Sequence, residues 1–277
     1  MIVMGNEKKF STIISRRFNK NSIKLKTDHV AVELPLEISF KNDKGESTNI
    51  TILMRTPGDD LKLAVGFLIT EGIIHKNSVS KLNYESSENK IEFIFASDEM
   101  PEISDISRNF VSNSSCGICG KNSLDDVLKK IPPVSFTRNS MIEPNQIKII
   151  CQKMREKQKL FSKTGGVHGI GLFDKYGDII LVEEDVGRHN ALDKAIGSIY
   201  LENRYSEILG ACLSGRASYE MVQKAAMAGI QIMISVGAPT SLAIDLAASS
   251  SIALIGFVSK NGYNIYTNEA IIFSNIN

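Results

Sequence analysis

Residues 208–236, ILGACLSGRASYEMVQKAAMAGIQIMISV, decide how this chain folds. Ile208 to Leu213 is a short apolar run with strand character, and Ser214-Gly215-Arg216-Ala217 is a turn of small residues. Ser218 to Ala228 has helical spacing, and Ile230 to Val236 is a second apolar run bounded by turn residues. The same alternation extends outward in both directions. Upstream, Val167 to Phe173 and Ile179 to Val182 read as a hairpin around Lys175-Tyr176-Gly177-Asp178, followed by a helix from about His189 to Tyr200. Downstream come a helix at Pro239 to Ala248 and a strand at Ile252 to Phe257. Strands and helices alternating through short loops predict an α/β domain over residues 141–277, a sheet covered by helices on both faces. In such sheets ligands bind at the carboxyl ends of the strands.

The unusual residues collect at those ends. Thr164-Gly165-Gly166-Val167-His168-Gly169 offers backbone NH groups that an anion could approach. Glu184-Asp185-Val186-Gly187-Arg188-His189-Asn190 and Ser214-Gly215-Arg216-Ala217-Ser218 each place an arginine where a strand hands over to a helix. Strand, small-residue turn with arginine, then helix N-terminus is the arrangement that grips phosphate, and two such turns suggest a nucleotide or pyrophosphate. The competing reading makes His168 and His189 satisfied polar side chains near turns, and makes Arg188 and Arg216 ion-pair partners of Glu183, Asp185 or Asp193. Neither GxGxxG nor GxxxxGK[ST] occurs, so a standard dinucleotide or NTPase site is not supported.

Two of the four cysteines stand in Ser114-Ser115-Cys116-Gly117-Ile118-Cys119-Gly120-Lys121. A glycine follows each thiol, leaving the sulfurs unshielded in a mobile loop, and Ser123 to Leu128 reads as a helix start whose dipole favours thiolate. This pattern predicts nucleophilic sulfur at Cys116 or Cys119. Three alternatives compete. A structural zinc site lacks a second cysteine pair or suitably spaced histidines. A thioredoxin-type pair would follow a strand directly, whereas Glu102 to Ser115 is polar. A structural disulfide needs an oxidising compartment. Cys151, on the apolar face of a helix opened by Pro144 with Ile147, Ile150 and Met154, and Cys212, in an apolar strand, read as small core residues.

The first half is expected to be a smaller β-rich α+β domain over 22–140, behind a basic, flexible arm at 1–21. Val30 to Phe40 and Thr48 to Met54 form one hairpin, Lys81 to Ser97 a second, and Leu61, Ala64, Val65, Leu68 and Ile69 mark a helix between them. Arg55 reads either as a solvated charge or as something more specific. The 32 basic and 31 acidic residues leave a net charge of +1, which excludes a bulk electrostatic footprint for nucleic acid or membrane. Ala225 to Ala238 is interrupted by Gln231 and Ser235 and is too short to span a bilayer, and residues 1–10 lack a signal-peptide core. A cytoplasmic protein with free thiols is expected.

RTPGDDLKLAVGFLITEGII, SSCGICGKNS, TGGVHG, EDVGRHNALDKAIG, SGRASYEMVQKAAMAG and SVGAPTSLAIDLA, in this order, strongly resemble the formate dehydrogenase accessory sulfurtransferase (FdhD) family from about Asp28 to Thr267. The resemblance implies a cytoplasmic sulfur carrier, usually a homodimer, that takes sulfur from a cysteine desulfurase and passes it to the molybdenum bis-guanine-dinucleotide cofactor of formate dehydrogenase. It places the persulfide at Cys116, with Cys119 beside it, and a cofactor-binding stretch at Phe257-Val258-Ser259-Lys260-Asn261-Gly262. A basic residue expected two places after Phe257 is Ser259 here, with Lys260 following. The larger domain of the family resembles cytidine deaminases, a three-layer α/β/α fold, although the deaminase zinc signature is absent and no metal is expected. A cofactor-binding chaperone that moves no sulfur, and a CxxC dithiol oxidoreductase, are the alternatives.

Overall fold

The computed structural model describes residues 8–19, 22–101 and 142–269, and the Cys116–Cys119 segment lies outside the described residues. Strands β1 (Phe10–Asn19) and β2 (Ser22–Ala31) pair antiparallel, with Phe10 opposite Ala31 and Phe18 opposite Ile23. This corrects the expectation of a flexible arm for residues 10–19. The basic composition hid a period-two pattern in which Ile14, Arg16 and Phe18 share a face with Ile23 and Leu25 of the partner strand.

Strands β3 (Leu34–Asn42) and β4 (Ser47–Arg55) form the first expected hairpin. Helix α1 (Asp60–Thr70) follows, and β5 (Asn83–Ser87) and β6 (Lys90–Phe95) form the second hairpin. The four strands make one sheet in the order β4-β3-β6-β5, with β3 and β6 parallel. Arg55 is not a solvated charge. It is fully buried, and its Nε and one terminal nitrogen grip the two oxygens of Asp60 at 2.8 and 2.7 Å, with a further bond to Asn89 Oδ1 at 3.1 Å.

The second half contains α2 (Pro144–Lys157), α3 (Lys159–Thr164), β7 (His168–Phe173), β8 (Ile179–Asp185) and α4 (Arg188–Leu201). These are followed by β9 (Gly210–Leu213), α5 (Tyr219–Met227), β10 (Ile232–Ser235), α6 (Ser241–Ser249), β11 (Ala253–Ser259) and β12 (Gly262–Ile265). The sheet order is β12-β11-β10-β9-β7-β8, with β9, β10 and β11 parallel and the others antiparallel to their neighbours. Alternation along the parallel strands sorts side chains between two faces. Ala211, Leu213, Met233 and Leu254 join the core beneath α4, α5 and α6, whereas Cys212, Ile232, Ile234 and Ile255 meet Ile147, Ile150 and Met154 of α2 on the other face. Helices therefore cover both faces, and each fully buried aliphatic side chain contributes about 1.5–3 kcal/mol.

The two sheets share one core. Leu36, Ile38, Phe40, Ile91 and Phe93 of the first sheet belong to the same apolar cluster as α1 and α4. Helices α1 and α4 cross at Gly66 and Gly197, where a Cβ on Gly197 would stand 1.8 Å from the carbonyl oxygen of Lys62 and one on Gly66 equally close to that of Asp193. Only glycine allows this backbone-to-backbone approach. Beside the crossing, Lys224 reaches Asp193 Oδ2 at 2.9 Å and Glu71 Oε1 at 2.8 Å. Burial opposes its charge, but these carboxylates keep its proton affinity above the ordinary lysine value.

Candidate functional site: one edge of the six-stranded sheet

Strand β7 runs antiparallel to β9, with Ile170 opposite Leu213, so its first residue, His168, arrives beside the turn that follows β9. Ser214 N donates to Gly169 O at 3.0 Å, and Gly169 N donates to Ser214 Oγ at 2.9 Å. Strand β8 returns to the same edge with Asp185 opposite His168, which brings Arg188 and His189, the first residues of α4, alongside. The next turns stack in register: Gly237 N donates to Gly215 O at 3.0 Å, and Phe257 N donates to Gly237 O at 3.1 Å. His168, Arg188, His189, the Arg216 turn and Phe257 thus lie along one edge, because β9, β10 and β11 end there and β7 begins there.

The charge pattern suits an anion. Arg188 Nε is buried and meets no acceptor among the described residues. No side chain caps the start of α4, and Arg216 is exposed. His168 is held below the ordinary histidine range, first by burial and then by the charge of Arg188 and the neighbouring His189, with Asp185 opposing them. These influences favour its neutral form. His189 Nε2 lies 3.3 Å from Glu220 Oε2 on α5. The alternative of Arg188 ion-paired to Glu183, Asp185 or Asp193 is not what the structure contains. Asp185 is taken by Lys194 at 2.8 Å, Glu183 by Lys62 at 2.8 Å, and Asp193 by Lys224.

A cavity of about 610 Å³ opens at this edge, between α2, α3 and the sheet. Its lining includes Gly165, Gly166, His168, Gln158, Ser214 and Cys151. Gly165 adopts φ 67° and closes α3, donating to Phe161 O at 2.7 Å, so the helix cap by itself explains a glycine here. Arg188, His189, Arg216 and residues 257–262 do not line this cavity. They continue the edge beyond it. Cys151 departs from its expected place in the core: it is half-buried at the cavity wall, while Cys212 is fully buried as expected.

Within Phe257–Gly262 the residues divide. Phe257 is 52% exposed with φ 56°, at a bulge between Gly256 and Ser259, and holding a bulky residue there costs roughly 1–2 kcal/mol. Val258 is buried among Ile255 and its neighbours, so its side chain serves the core and not the edge. Ser259, Lys260, Asn261 and Gly262 turn β11 into β12, and Lys148 Nζ donates to Lys260 O at 3.2 Å. The strand β12 that this turn starts was not expected from the sequence.

Sequence reasoning missed the lock behind the edge. Asp185 is fully buried and accepts from Thr56 N at 3.0 Å, Gly187 N at 2.9 Å and Asn190 Nδ2 at 3.1 Å. Lys194 Nζ donates to Thr56 O at 2.8 Å, and Val186 N donates to Thr56 Oγ1 at 3.1 Å. The RTPG and EDVGRHNALDK stretches bind each other, and this fixes where Arg188 and His189 point. The signal available in the sequence was two long polar motifs separated by over a hundred residues. Among the described residues no cluster of three or more His, Cys, Asp or Glu side chains is arranged to hold a metal ion, and no helix is long and apolar enough to cross a membrane.

Comparison with known proteins agrees with this architecture. A crystal structure described as a formate dehydrogenase accessory protein, from Desulfotalea psychrophila, superposes with a TM-score of 0.73, covering 96% of this chain and 100% of that one at 24% identity. Proteins named sulfur carrier protein FdhD align over most of their length. The one from Picrophilus torridus is 44% identical over 246 residues, 87% of this chain and 90% of the relative. That from Sulfolobus acidocaldarius is 42% identical over 243 residues, covering 87% and 89%, and that from Mycobacterium tuberculosis 37% over 267 residues, covering 91% and 94%. The family model described as FdhD/NarQ matches residues 31–273, which span both sheets and the whole polar edge, and the chain belongs to the FdhD/NarQ family.

Proposed function

We propose that the chain is a sulfur carrier serving formate dehydrogenase: it accepts sulfur from a cysteine desulfurase as a persulfide on Cys116 and passes it to a molybdenum bis-guanine-dinucleotide cargo held at the polar edge. The observation that carries this reading is the glycine-flanked pair Cys116 and Cys119 inside a family match over residues 31–273 whose relatives bear the name sulfur carrier protein. In the loading step the Cys116 thiolate attacks the outer sulfur of the donor persulfide. A new S–S bond forms on Cys116, the old one breaks, and the donor leaves as thiolate. In the release step the Cys119 thiolate attacks Cys116 Sγ, a Cys116–Cys119 disulfide forms, the S–S bond to the outer sulfur breaks, and that sulfur leaves as hydrosulfide.

The edge supplies what a nucleotide end needs. Arg188, with its unpartnered buried Nε, and the exposed Arg216 offer charge to phosphate, and the uncapped start of α4 offers NH groups. His168, whose neutral form burial favours, can donate to or accept from a polar group, the Gly165-Gly166 segment leaves open space beside it, His189 stands at the start of α4, and exposed Phe257 presents a ring to a base. A homodimer fits the β1–β2 ribbon, which leaves Ile14, Phe18, Ile23 and Leu25 between 68% and 75% exposed on one face.

The test is intact mass after incubation with a desulfurase and cysteine. Wild-type protein should gain a sulfur that a reductant removes, and Cys116→Ala should not. Equal loading of the variant would remove Cys116 as the acceptor. If the protein binds GDP but takes no sulfur, it is a cofactor chaperone.

A further inference from the structure

Cys151 and Cys212 lie on different layers, one on α2 and one on β9, yet their sulfurs are 3.2 Å apart. Cys212 is wholly enclosed, whereas Cys151 forms part of the wall of the 610 Å³ cavity. The pair therefore has one face that a ligand can reach and one that it cannot. A second feature points to a ligand in the same place. Gln158 also lines the cavity, is 1% exposed, and its side-chain Nε2 is a buried donor with no acceptor among the described residues. A small anionic sulfur species bound beside Cys151 would provide that acceptor.

We propose that Cys151 and Cys212 form a second sulfur-handling centre, in which Cys151 takes the outer sulfur of a persulfide entering the cavity and Cys212 releases it as hydrogen sulfide. In the first step Cys151 Sγ attacks the outer sulfur of R–S–SH, the S–S bond of the donor breaks, and RSH leaves, so Cys151 carries the persulfide. In the second, Cys212 Sγ attacks Cys151 Sγ across the 3.2 Å contact, a Cys151–Cys212 bond forms, and the outer sulfur departs as hydrosulfide, taking the Cys212 proton. Two thiols and one persulfide become one disulfide, RSH and hydrogen sulfide. The persulfide is the oxidant, and no other is needed.

The geometry sets the order of roles. Cys212 has no access to the donor, and its contact with Cys151, together with burial, pushes its thiol well above the ordinary value, so it does not attack first. The terminal sulfur on Cys151 has the cavity to occupy, and the inner sulfur is the one that Cys212 faces. This inference rests on the sulfur-carrier reading only for the class of donor. It uses neither Cys116 nor Cys119.

The experiment uses the full chain carrying Cys116→Ser and Cys119→Ser, reduced, desalted and exposed to glutathione persulfide. The expected result is one equivalent of hydrogen sulfide per chain, a mass lower by two hydrogens, and a proteolytic map that joins the Cys151 and Cys212 peptides. Adding Cys212→Ser should halt the reaction with the chain one sulfur heavier, and adding Cys151→Ser should abolish both changes. Two free thiols at unchanged mass in the parent chain would overturn the proposal. So would the same peptide link forming as fast in guanidinium, since the folded contact would then contribute nothing. The parent chain keeps both native thiols, so the decisive readout does not depend on a core substitution folding. Desulfurase loading is measured on the chain with Cys116 and Cys119 intact, so either reading can fail while the other stands.

Discussion

Replacing Gly197 by alanine tests whether the two sheets are held together by the α1–α4 crossing. The added Cβ would lie 1.8 Å from Lys62 O, 2.7 Å from Lys62 C and 2.8 Å from Gly66 N, all backbone atoms that no rotamer change can move. Restoring a carbon–oxygen contact of about 3.3 Å requires the helices to part by roughly 1.5 Å. Gaps of that size forfeit much of the dispersion energy of the side chains alongside, and overpacking typically costs about 1–3 kcal/mol, occasionally more. With only backbone in the way, the upper end applies. Alanine returns about 1 kcal/mol of helix propensity, which leaves a net loss of about 2 kcal/mol or more. The assay is urea and thermal unfolding, and that loss lowers Tm by roughly 4–8 °C. Gly166→Ala is the control, because its nearest neighbour would be Ala31 Cβ at 3.7 Å, an ordinary contact. A Gly197→Ala protein as stable as wild type, or stabilised as an open helical glycine would be, refutes the reasoning.

Other outcomes follow from the same geometry. Arg188→Ala should weaken GDP binding by roughly 10- to 100-fold, the equivalent of a charge-assisted bond of about 1.5–3 kcal/mol, and titration calorimetry on wild type, Arg188→Ala and Arg216→Ala checks it; equal affinities would remove both arginines from the site. Lys194→Met strands the buried Asp185 carboxylate and should cost about 3–5 kcal/mol in denaturant unfolding, while a loss within experimental error would show that the Thr56 lock does not depend on the ion pair. Asp59 is pulled from 3.8 to about 2: burial works against its charge, but Lys9 and Lys62 overcome it. Its contribution to stability is complete above the ordinary carboxylate range and disappears as pH falls through about 2, so Asp59→Asn should flatten the acid limb of a stability–pH curve; an unchanged limb would contradict the assignment. His168 has the opposite linkage to a paired histidine: the unfolded chain binds the proton first, so stability falls as pH drops below 6.5, and a histidine NMR titration should place its midpoint below that value.

The strand–helix alternation from Val167 to Phe257 was legible in the sequence because each element carries its own periodicity, and the helix and two hairpins of the first half were legible for the same reason. The strand-end turns could be picked out as a group, since glycine and arginine at a strand-to-helix handover have a local physical meaning. Local pattern failed where the reason for a residue lies far away along the chain. Residues 10–19 were misread because Phe18 and Ile14 acquire their pattern only on the face they share with Ile23 and Leu25 of the partner strand. Arg55 was ambiguous because Asn89, which helps to bury it, arrives from another hairpin. Val258 belongs to the core on the α2 side only because the bulge between Gly256 and Ser259 breaks the alternation that would otherwise put it on the side of Leu254. The meeting of His168 with Arg188 and Gly215, the lock of Thr56 on Asp185, and the approach of Cys151 to Cys212 all depend on strand order and helix crossing. A sequence fixes what each segment prefers to be. Which segments become neighbours is decided by the burial of all of them together, so the contents of the cavity and the reach of its thiols appear only in the folded chain.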